Sequence, residues 1–307
     1  MQRPFSLLLG LLVLALLSGC SIKRLAVDVV GDALTGDSDV YSTDDDPELV
    51  REAIPFGLKT YESLLATSPD HRGLLLSTAK GFTAYAYLLQ DEADRMDEQD
   101  LSRARLLRAR AKGLYLRGRQ YAIRGLELSR PGFEARLRRD PDATLAQTSE
   151  REVPFLYWAA LSWAGALSVG ADDLALVSDI PLFGALARRV VVLDEGYEGG
   201  AAHEFLLSYE ARRPGGNAAL AREHFRRALA LAHVPRASLY VTLAESLSIP
   251  EQNLPEFTEL LTTALAVDLN REPNLRLANV VAQRRARWLL THTPDLFLET
   301  DHREGIP

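Results

Sequence analysis

Apolar residues along this chain recur every three or four positions, and no stretch shows a convincing strict alternation, so the pattern predicts helices in series and no sheet. Val50, Ile54, Leu58, Tyr61 and Leu65 set the spacing. Asp46-Pro47-Glu48 ahead of them reads as a helix start: an Asp to cap free amide groups, a Pro whose fixed φ suits the first turn, and an acid favoured by the helix dipole. Ser68-Pro69-Asp70 ends that helix and begins another. Val190-Val191-Val192 has strand-forming side chains but sits inside a helical pattern.

One stretch stands apart. Val153 to Ala171 runs nineteen residues without a charge, with Pro154 in its first turn. It places Phe155, Trp158, Ser162 and Gly165 on one helical stripe and Leu156, Ala160, Trp163 and Leu167 on another. A helix apolar on all sides is either buried or membrane-spanning. Two Ser, two Gly and an early Pro make this a poor span, so a core helix at the centre of the fold is expected. Its small residues, among them Ala159, Ala160, Gly165 and Ala166, let neighbouring helices approach closely. Tyr157, Trp158 and Trp163 then either fill space or wall a pocket.

Small, aromatic and proline positions also repeat. Gly57, Tyr61, Leu64 and Pro69 match the second helix of a tetratricopeptide repeat, and Ala221, Phe225 and Ala228 match it better. Phe257, Leu261 and Ala264, then Phe183, Ala187 and Val190, give weaker echoes. The expected fold is therefore all-α, an irregular array of tetratricopeptide-like helical hairpins around a buried central helix. The pattern is interrupted where Asp91 to Arg130 reads as one or two long charged helices, and where Pro131 to Arg151 reads as a break of mixed charge.

Composition narrows the function. A chain of 307 residues that is 47% hydrophobic and 25% charged can bury a large core. A net charge of -7 and the absence of any basic tract argue against nucleic acid. Cys20 is the single cysteine, which excludes an intramolecular disulfide, a thiolate metal cluster and CxxC chemistry. Arg3, the apolar run Leu7 to Leu17 and the small pair Ser18-Gly19 read as a secretory signal ending at that cysteine. Leu17-Ser18-Gly19-Cys20 looks like a bacterial lipobox, which makes Cys20 the lipidation site of a protein that sits on a membrane without crossing it. Ser21, in place of Asp, favours the outer membrane by resemblance to sorted lipoproteins. The expected layout is a signal peptide over 1–19, a lipidated tether over 20–46 carrying a helix, a helical repeat domain over 47–300 and a tail over 301–307.

Chemistry is sparse. The six histidines form no ligand cluster by sequence, and His203-Glu204 lacks the second His of a zinc-protease motif because Leu207 stands in its place. Pro214-Gly215-Gly216-Asn217 has no phosphate-loop context and reads as a turn between helices with Asn217 as cap. No metal, cofactor or catalytic residue is expected, and the reading is of a non-enzymatic protein. Asn274 to Leu290 offers the best polar site in an apolar setting. Leu277, Val281, Arg284 and Trp288 share a stripe, which draws Arg284 toward the interior, with Asn279 and Gln283 one turn apart nearby. A buried Arg needs an anion, either an internal Asp or Glu or the carboxylate of a ligand. Arg285 and Arg287 are expected to be solvated. The candidate ligand-binding set is Tyr157, Trp158, Trp163, Asn279, Gln283, Arg284 and Trp288.

Asp44-Asp45-Asp46-Pro47-Glu48-Leu49-Val50, Tyr61-Glu62-Ser63-Leu64-Leu65 with Ser68-Pro69, Pro154 to Trp158 with Trp163, Ala221 to Phe225 and Asn279 to Leu290 together carry a resemblance. In this order and behind a lipobox, they resemble the T component associated with tripartite ATP-independent periplasmic (TRAP) transporters, the TatT lipoproteins. The resemblance implies an all-helical fold with cryptic tetratricopeptide-like repeats and a trimer with a central pore. It also implies a periplasmic solute-binding protein as partner and an accessory role in uptake of a hydrophobic or carboxylate-bearing solute. The alternative is a scaffold lipoprotein that assembles other cell-envelope proteins through its repeats.

Overall fold

The computed structural model describes residues 23–35, 40–96 and 100–298. Among these the chain is all-α, with no strand. Cys20, the secretory signal and the tail over 301–307 lie outside the described residues.

Two helices occupy positions near the chain's start. Residues 23–34 form α1. α2 (Pro47–Thr67) begins where expected, with the Asp46 carboxylate accepting from the amides of Glu48 and Leu49, and ends at Ser68. α3 (Arg72–Met96) and α4 (Leu101–Ser129) follow as a long, tightly packed hairpin, so the charged stretch from Asp91 contains the end of one helix and all of the next. The stretch 131–151, read as a break, is instead largely helical. α5 (Phe133–Arg139) and α6 (Pro141–Ala146) are short, and their anchors Phe133 and Leu137 are fully buried. Asp140 caps α6 through the amide of Ala143, repeating the Asp-Pro device of α2.

The uncharged stretch is α7 (Val153–Ser168), three residues shorter than the charge-free run, and it packs against α3, α4 and α9 (Ile180–Leu193). Its small residues do admit close neighbours. A Cβ on Gly165 would sit 2.4 Å from the Tyr115 ring of α4, and one on Gly125 of α4 would sit 2.1 Å from the Phe155 ring. Thr83 of α3 and Ser162 of α7 meet as hydroxyls 2.6 Å apart beside Gly118 of α4. Trp163 is 1% exposed between Phe183 and the Arg119 guanidinium, which stacks 3.8 Å from the indole centroid. No helix among the described residues is long and apolar enough to cross a membrane.

The second half is built from shorter hairpins. α10 (Ala201–Arg212) and α11 (Ala218–Leu231) pack as a pair across the Pro214–Asn217 turn, with Asn217 accepting from the amide of Leu220. α12 (Ala237–Leu243) runs into a π-helical turn, Ala244–Ser248, then α13 (Leu254–Leu265) and α14 (Arg276–Thr291). Of the positions flagged by the repeat spacing, Ala221, Ala228, Phe257, Leu261, Ala264, Phe183, Ala187 and Val190 are buried, whereas Gly57, Tyr61, Leu64 and Phe225 are half-buried and Pro69 is exposed.

Two hydrophobic cores result. One extends from α2 to α10, and the other joins α11, α12, α13 and α14. Adjacent residues stitch them together: Leu206 of α10 lies in the first core and Leu207 in the second, while Val281 of α14 lies in the first and Ala282 in the second. α14 also returns to the start of the body. The amide of Leu277 donates to the carbonyl of Ser42 at 3.0 Å and Arg276 donates to the carbonyl of Thr43. The packing order α2, α3, α7, α9, α10, α12, α14 and back to α2 is thus a closed circuit.

Candidate functional site

Tyr87 of α3 sits among charges contributed by several members of this circuit. This side chain is 46% exposed, yet its hydroxyl is pushed well above the usual phenol range by removal from bulk water and then by the carboxylates of Asp91 and Glu245, with Glu204 adding to them. Those carboxylates come from α3, the π-helical turn and α10. Tyr157 of α7 lies within reach of the same field. Burial raises its phenol first, Glu198 and Glu204 raise it further, and Arg236 opposes them. Both phenols therefore stay protonated at neutral pH and can donate hydrogen bonds.

The charges around these phenols are matched. Arg285 donates to Glu245 through Nε at 2.9 Å and Nη2 at 2.7 Å, while its Nη1 has no hydrogen-bond partner. Arg236 approaches Glu204 at 3.6 Å and donates to the carbonyls of Glu198 and Gly199. Lys80 pairs with Glu198 at 3.1 Å and stands 5.4 Å from the Trp158 ring centroid. Glu198, Gly199 and Gly200 have φ of 45°, 64° and 82° in succession. A left-handed backbone is costly for Glu198, so the turn is held by its neighbours rather than by local preference. Tyr197 of that turn donates to Glu198 and packs edge-on against Tyr157. A π-helical turn carries Glu245; such turns are rare and concentrate at functional sites.

The seven residues flagged by sequence do not converge on one spot. Tyr157 and Trp158 of α7 are edge to face with centroids 5.4 Å apart, Tyr157 within the first core and Trp158 partly buried against it. Trp163, buried among Phe183 and two arginines, fills the core. Asn279 accepts from the amide of Ala237, and Gln283 donates to the carbonyls of Ala264, Leu265 and Val267. These two buried amides fasten α14 to the ends of α12 and α13. Arg284 is drawn inward, 22% exposed, and its anions are internal: Asp91 of α3 and Glu48 of α2. Trp288 stacks on His292 with centroids 4.1 Å apart and lies beneath Arg285. Arg287 is exposed as expected, but Arg285 is only 19% exposed, because Glu245 lies opposite it.

Sequence reasoning did not single out Tyr87, Glu204, Arg236 or Glu245, which lie on α3, on α10, at the start of α12 and in the π-helical turn and share no motif. It also missed a histidine contact. His203 of α10 and His224 of α11 bring their Nδ1 atoms to 2.8 Å, and His203 Nε2 lies 3.1 Å from Glu195. Arg227, hydrogen-bonded to Glu195, is the first cause that lowers that carboxyl to about 2. His224 is held below the usual imidazole value by burial and by His203 beside it. Among the described residues no group of three or more His, Cys, Asp or Glu side chains is placed to hold a metal.

Two comparisons bear on this arrangement. The profile of the family described as TRAP transporter T-component matches residues 43–297, which takes in the whole circuit from the α2 cap through α14. A protein of Treponema pallidum (strain Nichols), described only as uncharacterized, is 32% identical over 309 residues, an alignment spanning 92% of this chain and 95% of that protein.

Proposed function

The chain belongs to the TRAP transporter T-component family, and on that premise we propose that it is a non-enzymatic, lipid-anchored accessory protein of a TRAP-type uptake system. In this reading it faces the periplasm, docks the system's periplasmic solute-binding protein, and holds or hands over a solute beside Tyr87. The family match makes it a transporter component. The ligand reading is supported by one feature: the half-exposed phenol of Tyr87 set among side-chain charges that pair with one another.

Phenols suit a particular kind of solute. Each presents an aromatic edge and one O–H donor, so Tyr87 and Tyr157 together favour an apolar body ending in an acceptor such as a carboxylate. Arg284, already paired with Asp91 and Glu48, is a structural tie in this reading, and Arg285 with its free Nη1 is the cation nearer the solute. The helical hairpins, read as tetratricopeptide-like, supply the outer surface for the solute-binding protein.

The test is co-purification of the mature chain with the solute-binding protein of its own transport system, followed by mass spectrometry of retained small molecules. A stable complex whose bound solute is lost in Tyr87→Ala, with the complex intact, is the expected result. Envelope-assembly proteins in place of a solute-binding protein would overturn the docking role. A complex that carries solute equally well without Tyr87 and Tyr157 would remove these phenols from it.

A further inference from the structure

α1 is an inverted helix. In most surface helices the apolar stripe faces the body and the polar side faces water. Here the inward side is polar. Asp28 accepts from Ser68, its carbonyl lies 3.2 Å from His71 Nε2, and Arg24 pairs with Asp70 at 3.4 Å. Gly31 is buried so tightly that a Cβ would come 2.8 Å from His71 Nε2. The outward side is mainly apolar: Leu25 (65% exposed), Ala26, Val29 (62%), Val30 (47%), Ala33 and Leu34 (47%) span roughly half the helix circumference at 100° per residue. Lys23 falls within this arc at the helix start, between Val30 and Leu34, and Asp32, whose side chain is 80% exposed and 3.3 Å from His71, flanks it beside Leu25.

Such a face is not left against water without a reason. We infer that α1 lies in the membrane interface, its Leu25–Leu34 face inserted among the lipids of the leaflet that holds the anchor. This rests on the reading of Cys20 as acylated. If it is, Lys23 follows the anchored residue by three positions, and a fully extended chain spans at most ~3.6 Å per residue. Whatever path residues 20–22 take, α1 starts within about 11 Å of the anchored residue, a reach comparable to the depth at which interfacial helices bury their apolar side. The hydrogen bonds from Asp28 and the Arg24–Asp70 pair bind α1 to the ends of α2 and α3. Membrane contact would therefore orient the whole ring and not only its leader.

Because Cys20 is the single cysteine and is consumed by the acyl chain, an introduced thiol is the sole labelling site. The full chain, expressed with its signal and purified as the lipoprotein, is reconstituted in phosphatidylethanolamine–phosphatidylglycerol vesicles. Val29→Cys, Leu25→Cys and, as an outward reference on another helix, Leu174→Cys (81% exposed) each carry a nitroxide. Spin-label accessibility to oxygen and to a water-soluble nickel chelate reports depth. The expected result is oxygen preference at 25 and 29 and nickel preference at 174. Nickel preference at 25 and 29 on a verified acylated protein overturns the inserted helix while leaving the anchor standing. Shielding from both reagents with dipolar broadening overturns it in favour of a second copy covering the face. An unmodified Cys20 peptide in mass spectrometry overturns anchor and insertion together.

Discussion

Replacing Arg284 by Gln tests whether this cation belongs to the fold or to a solute. Its partner Asp91 is 3% exposed and keeps a second cation, Arg95, at 3.3 Å, so the substitution weakens the buried carboxylate's environment without stripping it entirely. Breaking a fully buried pair costs about 3–5 kcal/mol, and a hydrogen bond to a charged group contributes about 1.5–3. The remaining Arg95 places the Asp91 loss toward the lower of these. The second partner, Glu48, is 54% exposed, and such a pair contributes about 0–1 kcal/mol. The expected destabilisation is therefore about 2–3 kcal/mol, which at about 2–4 °C per kcal/mol for a domain of some 200 residues lowers Tm by roughly 4–12 °C. Urea unfolding followed by far-UV circular dichroism measures it, with Asp91→Asn and the double variant completing a cycle. A coupling energy above about 1 kcal/mol is expected for side chains in direct contact. If Arg284→Gln unfolds within about 0.5 kcal/mol of the parent, and the cycle shows no coupling, the tie is not structural. Loss of a co-purifying solute in that otherwise stable variant would return Arg284 to ligand binding.

Three further outcomes are expected. Gly165→Ala should destabilise by about 1–3 kcal/mol by driving a methyl into the Tyr115 ring, outweighing the roughly 1 kcal/mol that Ala gains in a helix; a higher Tm would show that the α4–α7 crossing can relax. Gln283→Met keeps volume but leaves three carbonyls at the end of α13 without their amide donor, a loss of about 1–3 kcal/mol in a denaturation midpoint, and an unchanged midpoint would mean water replaces the amide. His224 has a folded pKa below its unfolded value of about 6.5, so the unfolded chain takes up the proton first and stability falls as pH drops below about 6.5, levelling off below the folded pKa. His224→Gln should flatten that fall in urea midpoints taken between about pH 7.5 and 5, and parallel profiles would rule the imidazole out.

Local rules wrote the helices plainly. Asp46, Asn217 and the charge-free run of α7 each did in three dimensions what their sequence neighbourhood required. The segment 131–151 was misread because its arginines masked Phe133 and Leu137, one turn apart, and a second Asp-Pro start at 140 and 141. The site was less legible for a different reason. Arg284 was correctly drawn inward by its stripe, but the anions that meet it lie 236 and 193 residues away, and no periodicity carries information across that span. Tyr87 and Glu245 are ordinary helix residues until the fold brings α3 and the π-helical turn together. His203 and His224 looked unrelated because their meeting depends on the register of α10 against α11.

Closure by α14 also orders events in time. The α2–α10 core consists mostly of contacts between successive helices and can form before the rest of the chain is in place. The bonds of Leu277 to Ser42 and Arg284 to Glu48 must wait for nearly the whole chain, and contacts of such long separation are entropically the last to form. Detachment of that one helix would open the circuit and take only Val281 and its neighbour Leu277 from the larger core. The cheapest opening of the molecule and its latest folding step are then the same motion, run in opposite directions.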